Sequence, residues 1–141
     1  MMPNWTKSVT MTPQSPDVAA NATLSTAQQD DYYWLALSQT EAFRDRRSVL
    51  RARSLEAVEV IADMSLDFVF LDADHSREAV VEDLRGWAPK IALGGLLCGH
   101  DYGHPLFPGV KDAVDAFVAS TGGRVECGQD YTWFMRMDAP C

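Results

Sequence analysis

The chain has 141 residues, a length that suits one domain able to bury a real core. Hydrophobic residues make up 47% and charged residues 23%, the balance of a soluble globular domain. The net charge of -8 and a pI near 4.7 repel phosphate backbones and anionic bilayers, so nucleic-acid and membrane-surface partners are disfavoured.

The opening stretch, Met1 to about Ser25, holds Pro3, Pro13 and Pro16 among many Ser, Thr, Asn and Gln. It reads as an irregular arm in which only Trp5 to Thr10 can make a short strand. Met1 to Val9 has no apolar core of a secretory signal, and no run reaches the roughly 18 apolar residues of a membrane span. The sequons at Asn4 and Asn21 are therefore read as chance. From Thr26 to Arg44 the spacing predicts a helix, with Tyr33, Leu37 and Phe43 on its apolar stripe. Ser48–Ala52 reads as a short strand and Ser54–Met64 as a short helix carrying Leu55, Val58 and Ile61. Leu66–Leu71 is a near-continuous apolar run, which predicts a strand buried on both faces.

A helix is predicted next, to about Trp87, with Val80, Leu84 and Trp87 on one face. Leu93-Gly94-Gly95 reads as a turn feeding a second buried strand that ends at Gly99. Val110 to about Ser120 is predicted helical, with Val110, Val114, Phe117 and Val118 inward and Gly122-Gly123 as its stop. Arg124–Cys127 and Tyr131–Met137 read as two strands that can pair antiparallel. Trp34, Trp87 and Trp133 are expected in the core. The cysteines Cys98, Cys127 and Cys141 are too few and scattered for a disulfide framework or a zinc site, and a reducing, cytoplasmic setting is expected. Strands and helices alternate from Ser48 onward, which implies an α/β sheet with helices on its faces.

In such a sheet, ligands bind beyond the carboxyl ends of the strands. Two successive predicted strands stop there with polar clusters: Asp72, Asp74 and His75 after the first, His100 and Asp101 after the second. Neighbouring strands lie about 4.8 Å apart, so these groups converge if the strands pair. Carboxylates with imidazoles suit magnesium or manganese better than zinc, since Cys98 is the nearest thiol. Asp74 or Ser76 has a second role open to it, capping the helix that follows. His104, among Gly and Pro, reads as a loop residue. No G-x-G-x-x-G or P-loop pattern occurs.

Four segments occur in order: Leu66 to Ser76, with its Asp-x-Asp-His-Ser; Asp83-Leu84 with Trp87; Gly94 to Tyr102; and Pro108-Gly109-Val110-Lys111 with Ala113-Val114. Together they make the stretch from about Arg47 to Val118 resemble class I S-adenosylmethionine-dependent methyltransferases, most of all the metal-dependent small-molecule O-methyltransferase branch. The resemblance implies Asp72 as a metal ligand and cofactor contact. It implies His100 and Asp101 as the metal-binding pair ending the next strand, with an imidazole where relatives carry a carboxylate. His75 lies where catechol-type relatives carry a basic lysine, and Asp74 where sugar-modifying relatives carry an acidic base. Ser54 looks like the serine beside the cofactor's adenine. The first strand, its glycine-rich loop and the acidic end of the second strand have no recognisable counterpart, so the sheet reads as truncated at its N-terminus, and unpaired strand edges invite dimerisation.

The expected fold is therefore α/β: a Rossmann-like methyltransferase sheet, mostly parallel with an antiparallel C-terminal strand, over 26–141, after an arm over 1–25. The expected function is S-adenosylmethionine-dependent O-methylation of a small hydroxylated acceptor, assisted by Mg2+ or Mn2+ at Asp72, His100 and Asp101, with His75 and Asp74 as catalytic groups and Ser54 and Asp72 as cofactor contacts. The unpaired strand edges leave a homodimer open as an assembly. The alternative is an inactive methyltransferase-like fragment that binds a partner or dimerises. A metal-dependent hydrolase or hydroxylase is a third reading, with a metal-bound water as its reagent.

Overall fold

A computed structural model describes residues 8–10, by backbone alone, and 25–138. The arm expected over 1–25, Trp5 included, otherwise lies outside the described residues. Strand β1 (Ser8–Thr10) pairs in parallel with β2 (Arg47–Val49), Ser8 opposite Arg47 and Thr10 opposite Val49.

Helix α1 (Thr26–Gln39) starts at a reciprocal cap. The Gln28 N–H donates to Ser25 Oγ (3.3 Å) and the Ser25 N–H to Gln28 Oε1 (2.9 Å). It ends five residues before the predicted Arg44, because local groups compete for its last carbonyls. The Thr40 hydroxyl donates to the Ala36 carbonyl, and Arg47 Nη1 donates to that of Leu37 at 2.6 Å. A 3-10 segment, Glu41–Arg46, follows. The predicted apolar stripe is not buried: α1 has no buried residue, Phe43 is half exposed and Trp34, expected in the core, is 65% exposed. Helix α2 (Ser54–Glu59) is also shorter than predicted, since Val60 and Ile61 close tight turns onto the Ala57 and Val58 carbonyls.

The remaining elements build one mixed sheet. Strand β3 (Leu66–Leu71) leads through α3 (Arg77–Trp87) to β4 (Ile91–Gly99), then α4 (Pro108–Thr121), β5 (Glu126–Cys127) and β6 (Trp133–Arg136). The spatial order is β3-β4-β6-β5. β3 and β4 run parallel, and β6 is antiparallel to both β4 and β5. The predicted turn at Leu93-Gly94-Gly95 is an irregularity inside a longer β4, which already starts at Ile91. Gly94 has φ +79 there, and a Cβ on Gly95 would lie 2.6 Å from Ile91 Cγ2.

The core sits between one face of this sheet and the α3–α4 pair. Val80, Leu84 and Trp87 of α3 and Val110, Ala113 and Val114 of α4 meet Val69, Leu71, Leu97, Trp133 and Met135. Their spacing in the two helices is the one the sequence predicts. Ser76 caps α3 by accepting the Ala79 N–H, Pro108 opens α4, and Gly122 at φ +70 closes it. The run Leu66–Leu71 departs from its prediction. Only Val69 and Leu71 are buried, while Phe68 and Phe70 point to the other face and are about half exposed (51% and 47%). Both helices of the core cover the same face, so the alternation of the pleat leaves every second side chain outside. No described helix is long and apolar enough to cross a membrane.

Gly99 is the position where β4 must stay bare. A Cβ there would lie 2.6 Å from the Leu71 carbonyl oxygen and 2.8 Å from Trp133 Nε1. Gly99→Ala is expected to lower stability by about 1–3 kcal/mol through overpacking, read as a drop in the urea midpoint.

Candidate active site

Leu71 lies opposite Gly99 in the β3–β4 register, and the His100 N–H donates to the Leu71 carbonyl at 3.1 Å. The two strands therefore end together, and Asp72 and His100 leave from the same sheet edge. Beyond β3 the chain turns into α3 through an Asx turn, in which Asp74 Oδ1 accepts the Ser76 N–H at 2.7 Å. Beyond β4, Asp101 adopts φ +63, a left-handed conformation that Asp tolerates better than most residues. That turn sends its carboxyl inward, where it is buried.

Asp101 stands between two imidazoles. Its Oδ2 is 2.8 Å from His75 Nε2, and its Oδ1 is 3.3 Å from His100 Nδ1. His75 Nε2 also lies 3.5 Å from Asp72 Oδ1. One ligand atom each from Asp72, His75 and Asp101 falls within 4.8 Å of the others. Of the sequence-derived metal set, Asp72 and Asp101 meet. The third member of the cluster is His75, whereas the other nitrogen of His100, Nε2, is 3.8 Å from the exposed Asp130 carboxylate.

His100 has its pKa raised above the usual imidazole value. Burial alone would lower it, but the hydrogen bond to Asp101 and the charges of Asp101, Asp72 and Asp130 outweigh that. An aromatic wall backs the cluster. Phe107 stacks on His75 with ring centroids 4.3 Å apart, and His104 stacks on Phe107 at 4.9 Å. Tyr131 meets His104 edge-on at 4.8 Å. Tyr131 also fixes the loop after Asp101, because its carbonyl accepts the Tyr102 N–H at 3.0 Å.

Asp72, Asp74, His75 and His100 share one small cavity with the buried Asp83 and Trp133. The buried Trp133 indole N–H has no hydrogen-bond partner among the described residues. Asp83 is buried too. Burial pushes its carboxyl pKa up, a hydrogen bond from Ser54 opposes this, and the charges of Asp74 and Glu82 add to the rise. The Ser54 hydroxyl donates to Asp83 and accepts from Trp87 Nε1 at 2.9 Å, tying α2 to α3. Ser54 is thus already engaged, apart from the cluster of Asp72, His75 and Asp101.

Sequence reasoning gave no site role to Phe107, Tyr131 or Asp83 and read His104 as a loop residue. Asp83 left a usable signal, a carboxylate between the apolar positions 80, 84 and 87 of one helix face. Phe107 and Tyr131 left none, since their place depends on how the loops after β4 and β5 fold back.

The profile of a family described as a methyltransferase domain matches residues 6–102. Among solved structures, the O-methyltransferase NovP is 17% identical with a TM-score of 0.61, over 83% of this chain and 46% of that one. The calicheamicin methyltransferase CalS11 is 14% identical with a TM-score of 0.63, over 93% and 60%. An O-methyltransferase from Bacillus cereus, solved with SAH, is 17% identical with a TM-score of 0.58, over 90% and 60%. The chain thus spans about half to three-fifths of the length of these neighbours.

The His100 ring is expected to titrate above the ordinary imidazole midpoint in an NMR pH series. Its favourable contribution to folding is present in acid and lost as pH rises through its folded pKa. Asp101→Asn should bring the midpoint down.

Proposed function

This chain belongs to the methyltransferase-domain family, and from that premise we propose that it serves methyl transfer from S-adenosylmethionine to a hydroxyl of a small molecule, with a divalent cation at Asp72, His75 and Asp101. The observation that carries the reading is the convergence of these three side chains beyond the carboxyl ends of a parallel strand pair. When bound, the cation acidifies a hydroxyl and S-adenosylmethionine presents an electrophilic methyl group.

The chain's own residues have distinct proposed tasks. Asp72 and Asp101 offer oxygen ligands. His75 offers Nε2 as the nitrogen ligand, in the neutral imidazole form that holding a cation requires. Phe107 fixes the plane of that ring by stacking. His100 supports Asp101 from outside the ligand set, at its second carboxylate oxygen. Asp74 is the proposed proton acceptor, with its orientation set by the Ser76 N–H. His75 is the second candidate for that task when no cation holds its Nε2. Ser54 and Asp72 are the proposed cofactor contacts, Ser54 only as an acceptor because its hydroxyl proton goes to Asp83. The acceptor is a small hydroxylated molecule held against the aromatic wall.

A second reading is a methyltransferase-like module that binds a partner without using the cofactor. It is favoured by the two separate sheets, since no described strand joins β1–β2 to β3–β4.

Calorimetric titration with S-adenosylmethionine, with and without Mg2+, separates the two. Micromolar binding supports methyl transfer, and a folded protein that takes up no cofactor supports the module. Outer-sphere partners alone are worth about 10–100-fold in metal affinity, so Asp101→Asn is expected to weaken Mn2+ binding, read by electron paramagnetic resonance, by at least about tenfold.

A further inference from the structure

Two enclosed indoles of the described residues are treated differently by the fold. Trp87 is 2% exposed and donates its Nε1–H to Ser54 Oγ at 2.9 Å. Trp133 is 1% exposed, and its Nε1–H has no hydrogen-bond partner among the described residues. Register explains the difference. Trp133 of β6 lies opposite Gly99 of β4, and its ring covers that bare backbone so closely that a Cβ there would stand 2.8 Å from Nε1. The Leu71 carbonyl at the same glycine already accepts the His100 N–H. A buried N–H without an acceptor forfeits its hydration, so folded proteins supply one, from the chain or from an ordered water.

Trp133 and Asp83 border the same cavity, which has room for about one water molecule. Asp83 has a place for a donor too. Its Oδ1 accepts the Ser54 hydroxyl, and no described residue donates to its Oδ2. The walls narrow the choice of occupant. An indole N–H does not ligate a cation, and Asp72, Asp74 and Asp83 repel an anion. A group between Trp133 and Asp83 has to accept one hydrogen bond and donate another, as a neutral hydroxyl does. Water is the hydroxyl that suits the space, and about two to four polar partners are what hold it.

We propose that this cavity binds one internal water, whose oxygen accepts the Trp133 Nε1–H and one of whose protons goes to Asp83 Oδ2. Asp72 and Asp74, on the same cavity, are the acceptors open to its second proton. The two enclosed indoles then serve one carboxylate, Trp87 through Ser54 at Oδ1 and Trp133 through the water at Oδ2. That chain joins α2, α3 and β6. It also favours the ionised form of Asp83, against the upward push that burial gives its pKa. The site uses neither cation nor cofactor, so it stands apart from the reading as methyl transfer.

Water-selective NOE and ROE spectra of the isotope-labelled full chain test this, recorded in EDTA so that no cation-held water is counted. Trp133→Phe assigns the indole signal by its loss. The expected result is a cross-peak between the Trp133 indole proton and water, with NOE and ROE of opposite sign, the signature of a long-lived water. A crystal structure grown without divalent cations is the second arm. It should show one water within hydrogen-bond distance of both Trp133 Nε1 and Asp83 Oδ2. No cross-peak, a dry cavity, or a water that reaches only one of the two groups overturns the proposal. Asp83→Leu removes the acceptor and is expected to abolish the cross-peak while circular dichroism stays unchanged. A folded Asp83→Leu that keeps the cross-peak also overturns it, and if that variant does not fold, the two arms on the unaltered protein decide.

Discussion

The register of β3 against β4 is the constraint on which the rest of the molecule depends. Leu71 opposite Gly99 brings two strand ends to one level, and the bond from the His100 N–H to the Leu71 carbonyl locks that level. A shift of one residue would turn Val69 and Leu71 out of the core and point Phe68 and Phe70 into it. It would also draw Asp72 away from Asp101. Packing and site geometry are therefore fixed by the same alignment. Gly99 makes the alignment feasible, because Trp133 from β6 lies against the bare backbone that a Cβ would occupy.

The site concentrates opposite charges in a chain with a large acidic surplus. Asp101 is buried, yet it stands between His75 and His100, so each of its carboxylate oxygens has an imidazole nitrogen beside it. Asp72 and Asp130 lie further out and add to the negative field that His100 feels. The left-handed turn at Asp101 belongs to the same design, since it aims the carboxyl inward at a point where an extended chain would aim it outward.

Much of this was legible in the sequence where the signal is local and periodic. The apolar faces of α3 and α4, their caps, the antiparallel hairpin at the C-terminus and the two strand-end clusters follow from spacing alone. Burial on the second sheet face was not legible. An apolar run such as Leu66–Leu71 reads the same whether one face or both are covered, and only the placement of α3 and α4 on one side decides it. Tyr33, Leu37 and Phe43 misled for a related reason: a helical stripe marks an affinity for a partner surface, and no described element buries theirs. That His75 Nε2 comes near both Asp72 and Asp101 was equally out of reach. Both imidazoles flank Asp101 in space, and the backbone turn that sorts them has no signature in residue type. The family resemblance marked Asp72 and Asp101, but the stacking of Phe107 that orients His75 comes from a loop between the matched segments.

The three described tryptophans, of the chain's four, differ sharply in exposure. Trp87 and Trp133 are almost fully enclosed, and Trp34 is largely open to water. Their emission therefore divides into a blue component from the sheet-and-helix core and a red, quencher-accessible component from α1. Trp133 also lines the same cavity as Asp72 and His75, with its indole N–H without a hydrogen-bond partner among the described residues. An event at the strand ends is thus reported in the blue band, while a disturbance of the N-terminal helix appears in the red.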